Sequence, residues 1–357
     1  MRKKVEYLIV GQGLAGTFLA FQLLSRNISF AVVDNSRPNT ASKVAAGLIN
    51  PVALRRLIPS WRAQEFLNYN IDFYTQLGAV LGGKKYHHKI AFKKLIESKD
   101  ERLFWEKKMA SGEVDGWVEP SFSIMTKSMR PKKDFKLGAV KQCYWLNVKQ
   151  LLEDFCVFLK ANGLLLDEKF EYASIDEKVF SDVKFKKVVF CEGIGIKNNP
   201  YFNYLPYRIN KGELLTVTSM NYRSECAMKK KMFVLPLGNN RYKIGATYAW
   251  EWEDEKPEEK SKSLLKDSLK EITQAEFDIE NHEAGFRPAV KDRRPLIGAH
   301  PEHKDLFLFN GMGSRGCLIA PKLAKELVDH IENRTPLTPE TDIRRYEKLS
   351  KIQSLKQ

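Results

Sequence analysis

The sequence predicts an α/β fold organised around a parallel βαβ unit. Near the N-terminus, an apolar run leads into a glycine-rich turn, a helical stretch and a second apolar run. Near the C-terminus, an apolar run, a glycine turn and an amphipathic helix follow one another again. The chain has 357 residues, enough for about two domains. With 43% hydrophobic and 29% charged residues, it fits a globular protein and excludes a disordered or collagen-like one.

The N-terminal unit carries the pattern of a dinucleotide-binding site. Along the chain lie an apolar strand (5–10), the turn Gly11-Gln12-Gly13-Leu14-Ala15-Gly16, a helix from Thr17, a second strand (28–33) and Asp34. Gly11 permits the tight turn, Gly13 lets the backbone approach a pyrophosphate, and Gly16 lets the helix pack on the strand. The free N–H groups at the helix start, around Leu14 and Ala15, bind phosphates. Asp34 lies at the distance at which a carboxylate accepts hydrogen bonds from a ribose. This motif alone leaves NAD and FAD open.

The C-terminal unit favours a flavin. An apolar strand (306–309) runs into Asn310-Gly311-Met312-Gly313-Ser314-Arg315-Gly316-Cys317, and apolar residues then recur with helical spacing over 320–331. A Rossmann domain that binds only NAD does not require this second glycine turn. The start of its helix supplies N–H groups and a positive dipole end, which suit the negative charge that gathers at the N1–C2=O edge of a reduced flavin.

The chain carries an excess of positive charge. It has 59 Lys and Arg against 44 Asp and Glu, a formal net charge of +15. Residues 81–141 alone contain 15 basic and 8 acidic side chains, so nearly half of the excess lies in one stretch. Such a surface attracts nucleic acid, anionic lipid or acidic metabolites. A lysine-rich host proteome would give the same balance, so charge alone does not identify a partner.

The sequence also predicts a cytoplasmic protein without a structural metal. It contains no run of about 18 apolar residues, and its N-terminus lacks the apolar stretch of a signal peptide. Its five cysteines are scattered, without the spacing of a metal site or a disulfide framework.

Taken together, the motifs resemble the FAD-dependent oxidases of the D-amino acid oxidase superfamily. The pattern is similar to glycine oxidase and to the oxidase domain of the bifunctional enzyme that makes 5-methylaminomethyl-2-thiouridine in tRNA. The matching segments run in the family's order from residue 5 to about 333: the first glycine turn with Asp34, Ala45-Ala46-Gly47-Leu48-Ile49-Asn50-Pro51, Trp145-Leu146-Asn147, Val188-Val189-Phe190-Cys191-Glu192-Gly193, Lys211-Gly212-Glu213, Ile244-Gly245-Ala246-Thr247, Gly285-Phe286-Arg287-Pro288 and the second glycine turn.

This resemblance implies a division of the chain. A discontinuous, Rossmann-like FAD-binding domain would comprise residues 1–65, 145–205 and 280–335. Residues 66–144 and 206–279 would form an inserted α+β substrate domain built on an antiparallel sheet. Residues 336–357 would form a C-terminal tail.

The resemblance also implies which residues surround the cofactor. Ala45, Ala46 and Gly47 are small and would let the backbone lie close to the isoalloxazine. Tyr172 would lie toward the adenine, and Gly193 would also contact the cofactor. The second turn would line the pyrimidine edge of the flavin through Gly313, Ser314 and Gly316, and its residues Arg315 and Cys317 would also contact the cofactor. Because the cysteine context of the covalently flavinylated sarcosine oxidases is absent, we expect non-covalent FAD.

Three residues are candidates for the chemistry. Arg287 is the expected substrate anchor, because a guanidinium grips a carboxylate bidentately and the corresponding arginine of similar oxidases holds the substrate carboxylate. Lys243 lies in a Lys-Ile-Gly segment similar to that of sarcosine oxidases, where a lysine over the flavin promotes the reaction with oxygen. Tyr248 follows the Gly-Ala-Thr segment and is a candidate for substrate contact.

The resemblance therefore implies an FAD-dependent oxidase that converts the C–N bond of a carboxylate-bearing amine or amino acid to an imine and releases hydrogen peroxide. The alternative substrate is the carboxymethylaminomethyl group of a wobble uridine, with tRNA as the partner; phosphate contacts would then give the basic stretch a purpose. Less favoured are a nicotinamide-dependent dehydrogenase and a basic nucleic-acid-binding protein with an inactive oxidase fold.

Overall fold

The computed structural model describes residues 3–35 and 40–349. The helices in these ranges are α1 (Leu14–Leu24), α2 (Ala41–Val44), α3 (Ala63–Val80), α4 (Lys99–Ala110), α5 (Val148–Ala161), α6 (Ser174–Glu177), α7 (Glu259–Lys270) and α8 (Gly316–Asn333). Short 3₁₀ helices occupy Lys127–Met129, Gly193–Asn198 and Ile343–Tyr346. Among the described residues, no helix is both long and apolar enough to cross a bilayer.

The strands follow the chain in this order: β1 (Lys3–Val10), β2 (Phe30–Val33), β3 (Leu48–Ile49), β4 (Val52–Ala53), β5 (Ile58–Pro59), β6 (His87–Lys89), β7 (Phe92–Ile96), β8 (Val118–Ile124), β9 (Lys136–Val140), β10 (Tyr144–Leu146), β11 (Leu165–Leu166), β12 (Val179–Phe180), β13 (Val183–Phe190), β14 (Asn210–Thr218), β15 (Ala227–Lys229), β16 (Phe233–Gly238), β17 (Arg241–Gly245), β18 (Asp278–Arg287), β19 (Leu296–Ala299) and β20 (Leu306–Asn310).

The first of two large sheets, here called the parallel sheet, has the order β11-β2-β1-β13-β20-β19, with β12 paired to β13. β1 lies between β2 and β13 and runs parallel to both, while the β19–β20 and β12–β13 pairs are antiparallel. One core that includes α1, α5 and α8 packs against one face, and a second core packs against the other. Burial on both faces explains the continuous apolar runs of these strands. The predicted βαβ unit is therefore confirmed, and so is the helix predicted over 320–331.

The second large sheet, here called the antiparallel sheet, has the order β18-β14-β17-β16-β15-β7-β9-β8. Only its β15–β7 pair is parallel within the described chain. One face packs on α7 through side chains such as Leu215, Ile244 and Leu265. The α/β class with an antiparallel second sheet, as predicted, is confirmed. The domain boundary expected at residue 280 falls inside β18, which pairs with β14 along its length.

The two sheets approach each other at α2 and β18. A Cβ added to Gly285 of β18 would lie 3.1 Å from Cβ of Val44, so glycine is what allows this close approach. In the segment expected to form a tail, Ile343 is fully buried against the parallel sheet's second core. Residues 350–357 of that segment lie outside the described residues.

Candidate active site

A cavity of about 1340 Å³ lies between the parallel and antiparallel sheets. Drug-sized ligands occupy pockets of about 300–1,000 Å³, so this cavity is large enough for a dinucleotide and a small substrate together. We call its two parts the cofactor half, lined by the glycine turns, and the substrate half, lined by the antiparallel sheet. Their walls are built by different means.

The first glycine turn forms one end of the cofactor half. Gly11 has a φ of +105°, the left-handed region that glycine adopts without strain. A Cβ on Gly16 would collide with the carbonyl oxygen of Gly11, so α1 packs against the turn only because residue 16 is glycine. Gly13, Leu14 and Ala15 line the cavity. Gly16 therefore serves packing, whereas Gly13, Leu14 and Ala15 are placed to contact a ligand in the cavity.

The N-terminus of α1 suits an anion. Gly13 is the N-cap residue and has no side chain that could cap the helix, and the first turn of the helix contains no acidic residue. The Leu14 N–H donates to Oγ of Ser42 at 3.1 Å, which ties α2 to the helix start. Helix N-terminal N–H groups and the helix dipole favour a phosphate at such a position.

Asp34 lies in the cavity wall at the end of β2. Its Oδ1 accepts a hydrogen bond from the N–H of Gln12 at 3.0 Å, so the glycine turn itself orients the carboxylate. Further along the same wall are Tyr172 and Gly193. The Tyr172 hydroxyl donates to Glu192 at 2.6 Å, and the Gly193 carbonyl accepts from Asn310 at 2.9 Å.

The segment of small residues, Ala45-Ala46-Gly47, also lines the cavity. Gly47 has a φ of +76°, and a Cβ there would collide with the carbonyl oxygen of Leu146. The indole N–H of Trp145 donates to the Ala46 carbonyl at 3.0 Å. The 145–147 segment therefore holds the small residues in place, which explains why the two segments occur together in the sequence pattern.

The second glycine turn brings Gly313, Ser314, Arg315, Gly316 and Cys317 to the cavity. Arg315 is the N-cap of α8, and its side chain makes no capping hydrogen bond. The Arg315 guanidinium donates to Oγ of Ser60, and burial lowers its pKa. Pro321 lies inside α8, after its first turn, and so does not begin the helix. Two helix N-termini whose own N-cap residues make no side-chain capping bond thus face one cavity.

The donor set fits FAD. Two helix starts without acidic neighbours suit the pyrophosphate and the pyrimidine edge of a flavin, and Asp34 suits a ribose. Glycines at 11, 16 and 47 keep the backbone where a Cβ would collide. Among the described residues, no cluster of three His, Cys, Asp or Glu side chains is arranged to hold a metal ion.

Arg287 dominates the substrate half. Its guanidinium lies directly on Gly212, where a Cβ would collide with it. Nη1 donates to Oδ1 of Asn210 at 2.8 Å and to the Thr247 carbonyl at 3.4 Å. Burial lowers the pKa of Arg287, and within the described ranges no carboxylate lies within 4.0 Å of it. Within the described chain, the groups that hydrogen-bond to this cation, Asn210 and Thr247, are neutral.

Tyr248 and Lys243 lie beside the cavity, and neither forms part of its wall. Tyr248 is 55% exposed; its ring centroid is 5.1 Å from Cζ of Arg287, and its hydroxyl accepts from Asn210 at 3.0 Å. The Lys243 ammonium pairs with Glu283 at 3.3 Å and donates to the Val44 carbonyl at 3.2 Å. Lys243 therefore joins α2 to the antiparallel sheet.

Sequence reasoning missed several wall residues. Ser42 and Asn310 act through hydrogen bonds to backbone groups, and Lys229, Phe92 and Phe233 come from strands of the antiparallel sheet. Asn310 was detectable, because it ends β20 where that strand enters the second turn. The strand residues gave no local signal, since only the cross-strand register brings them to the cavity.

Comparison with known proteins agrees with this geometry. The family model for FAD dependent oxidoreductases matches residues 6–330. Glycine oxidase of Bacillus subtilis is 22% identical over 371 residues, covering 94% of this chain and 95% of that protein. A tRNA 5-methylaminomethyl-2-thiouridine biosynthesis bifunctional protein of Legionella pneumophila is 22% identical over 325 residues, covering 84% of this chain and 47% of that protein.

Solved structures share the fold. The crystal structure of glycine oxidase from Geobacillus kaustophilus superimposes with a TM-score of 0.76 at 19% identity, covering 94% of this chain and 96% of that one. Glycine oxidase from Bacillus cereus gives a TM-score of 0.75 at 21% identity, covering 93% and 96% of the two chains.

Proposed function

Because the chain belongs to the family of FAD-dependent oxidoreductases, we propose that it oxidises the C–N bond of an amine or amino acid that carries a carboxylate. The observation that carries this proposal is Arg287, a cation in the wall of the substrate half for which the described chain provides no carboxylate. Glycine oxidases among the relatives support an amine as the reacting group.

A substrate carboxylate would supply the counter-ion that the described chain does not provide for Arg287. Taking a cation out of water is costly unless an anion and hydrogen bonds replace the hydration. Asn210 and Thr247 hold Nη1, which fixes the plane of the guanidinium against Gly212. A guanidinium fixed in this way presents its remaining donors in one direction and binds a carboxylate bidentately.

The remaining wall residues orient the substrate and exclude water. Bound FAD would supply the acceptor for a hydride from the carbon next to nitrogen. Phe92, Leu214 and Phe233 give the substrate half apolar walls, and Gly212 and Ala246 leave room between them. Holding the carboxylate at one point fixes where the C–N bond lies, which is the main contribution a protein makes to such a reaction. Water then hydrolyses the imine, and dioxygen as final acceptor gives hydrogen peroxide.

We propose that FAD is held without a covalent bond. The thiol nearest to the second turn is Cys317, which is buried, and burial raises its pKa to about 12. A thiol with that pKa stays protonated at neutral pH and is a poor nucleophile.

We also propose that the protein is located in the cytoplasm. All five cysteines are free thiols, and free thiols are typical of reducing compartments.

A second candidate substrate is the carboxymethylaminomethyl group of a tRNA wobble uridine. The similarity to the bifunctional tRNA-modifying protein of Legionella pneumophila over 84% of this chain favours it. Such a group also carries a carboxylate and an amine, so Arg287 would have the same role. The basic stretch 81–141 would then contact phosphates, and activity would fall steeply with salt.

An anaerobic absorbance experiment tests the proposal. Purified yellow protein is mixed without oxygen with glycine, sarcosine and D-alanine, and with methylamine, dimethylamine and ethylamine, which are matched amines without the carboxylate. Bleaching of the flavin by carboxylated amines only is the expected result. Bleaching by undermodified tRNA alone would select the second candidate. Equal bleaching by both amine sets, or bleaching only by NADH or NADPH, would contradict the proposal.

A further inference from the structure

A second cation, Lys229, lines the same cavity as Arg287. It is the last residue of β15 and is half-buried. Across the described residues, no acidic side chain lies within 4.0 Å of its ammonium and no hydrogen-bond acceptor engages it. Burial together with the charges of Lys94 and Arg287 lowers the pKa of Lys229. The two unpaired cations are therefore close enough to repel each other.

The neighbouring lysines differ in this respect. Lys94, the register partner of Lys229 on β7, pairs with Glu101 at 2.7 Å. Lys230 pairs with Glu97 at 2.8 Å and with Glu271 at 2.7 Å. The acids in this region thus neutralise the lysines on both sides of Lys229, and the part of the chain that the structure describes offers Lys229 itself no counter-ion.

The sheet register explains why Lys229 faces the substrate half. Lys229 lies opposite Phe233, Phe233 opposite Gly245, and Gly245 opposite Leu214. Residues opposite one another in a sheet project from the same face, and both Phe233 and Leu214 line the cavity. Lys229 and Leu214 are three strand spacings apart, about 14 Å between backbones, and Arg287 lies on Gly212, two residues before Leu214.

We propose that Lys229 binds a second carboxylate of the substrate, so that the enzyme acts on amines that carry two carboxylates. The inference rests on the proposed function for the amine, but the anion site stands on the geometry of the two cations. A molecule with one carboxylate neutralises Arg287 and leaves Lys229 uncompensated. A dicarboxylate neutralises both, and each charge-assisted hydrogen bond contributes about tenfold or more to affinity.

Calorimetry on the FAD-loaded protein tests this site without requiring turnover. Binding of malonate, succinate and glutarate is compared with that of propionate, butyrate and valerate, which have the same chain lengths and one carboxylate. The wild type should bind at least one dicarboxylate about tenfold or more tightly than its partner. The chain length with the highest ratio measures the spacing of the two cations.

Three variants test whether Lys229 causes the preference for dicarboxylates. Lys229→Met should bring the ratio close to one and leave the affinity for butyrate within about threefold of the wild-type value. Lys229→Arg should keep most of the wild-type preference for the dicarboxylate. Lys231→Met is the matched control, because Lys231 belongs to the same lysine run and has a 67% exposed side chain. Flavin content of each variant verifies folding.

The outcomes separate the inference from the proposed function. A wild-type ratio near one, or a ratio that Lys229→Met leaves unchanged, overturns the inference even if carboxylated amines bleach the flavin. A Lys229-dependent ratio supports it even if no amine is oxidised, in which case the proposed function alone fails. Phosphonoacetate preferred over every dicarboxylate would overturn the assignment of a carboxylate.

Discussion

The two halves of the cavity use different groups to bind negative charge. In the cofactor half, the groups that suit negative charge are mostly backbone N–H donors at two helix starts, and glycines keep the chain where a Cβ would collide. In the substrate half, they are the side-chain cations Arg287 and Lys229, set on strands. A backbone site is fixed by local chain geometry, whereas a side-chain site depends on which strands are neighbours.

This difference predicts that the two halves respond differently to substitution. Replacing one side chain in the substrate half changes the charge offered to a ligand and leaves the fold intact. Replacing a glycine in the cofactor half moves the backbone itself. Substitutions in the two halves should therefore differ in kind, with loss of cofactor on one side and altered ligand choice on the other.

The largest effect is expected in the cofactor half. Gly16→Val should abolish flavin binding, because its side chain would collide with the Gly11 carbonyl and separate α1 from the turn. Flavin content after purification and far-ultraviolet circular dichroism measure the loss. Ala79→Val is the control, because it places the same β-branched side chain at an exposed helical position in α3. Full flavin content in Gly16→Val would contradict the role of this contact.

Arg287→Ala should have the next largest effect. Removing one partner of a buried, charged hydrogen-bonded pair costs about 2–5 kcal/mol, so KM for a carboxylated amine should rise between about 30-fold and several thousand-fold. Flavin content should stay unchanged, because Arg287 contributes to the other half. Arg208→Ala, which removes an exposed arginine stacked on Trp250, is the control and should leave KM unchanged. An unchanged KM in Arg287→Ala would remove the basis of the proposed function.

A pH titration should also distinguish the halves. The pKa of Lys229 is lowered, so this lysine loses its proton at a lower pH than an ordinary lysine. As the pH rises from 7 toward 10, the Kd of succinate should therefore rise by up to about tenfold, while that of butyrate, held by Arg287, should change little. Flavin should stay bound, since backbone N–H donors do not titrate. An equal loss of both ligands would contradict this assignment.

Lys243→Met should have the smallest effect. The lysine is paired with Glu283 and bonded to Val44, so its removal should lower the thermal midpoint by a few degrees or less. Stopped-flow reoxidation of the reduced flavin by oxygen should change by less than about threefold. A decrease of about tenfold or more would instead support the oxygen-promoting role that the Lys-Ile-Gly resemblance suggests.

Sequence reasoning reached the cofactor half because its determinants are local. Gly11, Gly13, Gly16 and Asp34 lie within one βαβ unit, and their spacing is itself the signal. The same reasoning located Arg287 only through the resemblance. Sequence reasoning missed Lys229. Except for Phe233, the residues that Lys229 pairs with in the sheet lie far away in sequence, and its neighbours along the chain resemble an ordinary basic run. A sequence also does not show which lysine lacks an acidic partner, because only the structure shows that Glu97, Glu101 and Glu271 neutralise the neighbouring lysines.

The central claim is that both halves face one cavity, so that a carboxylate held by Arg287 lies against the flavin. Titrating the oxidised holoenzyme with propionate, which cannot be oxidised as an amine, tests it through the flavin absorption bands. We predict a saturable shift of these bands with propionate, none with propylamine, and loss of the shift in Arg287→Ala with flavin still bound. An unperturbed spectrum at saturating propionate, or an equal shift in Arg287→Ala, would contradict the account.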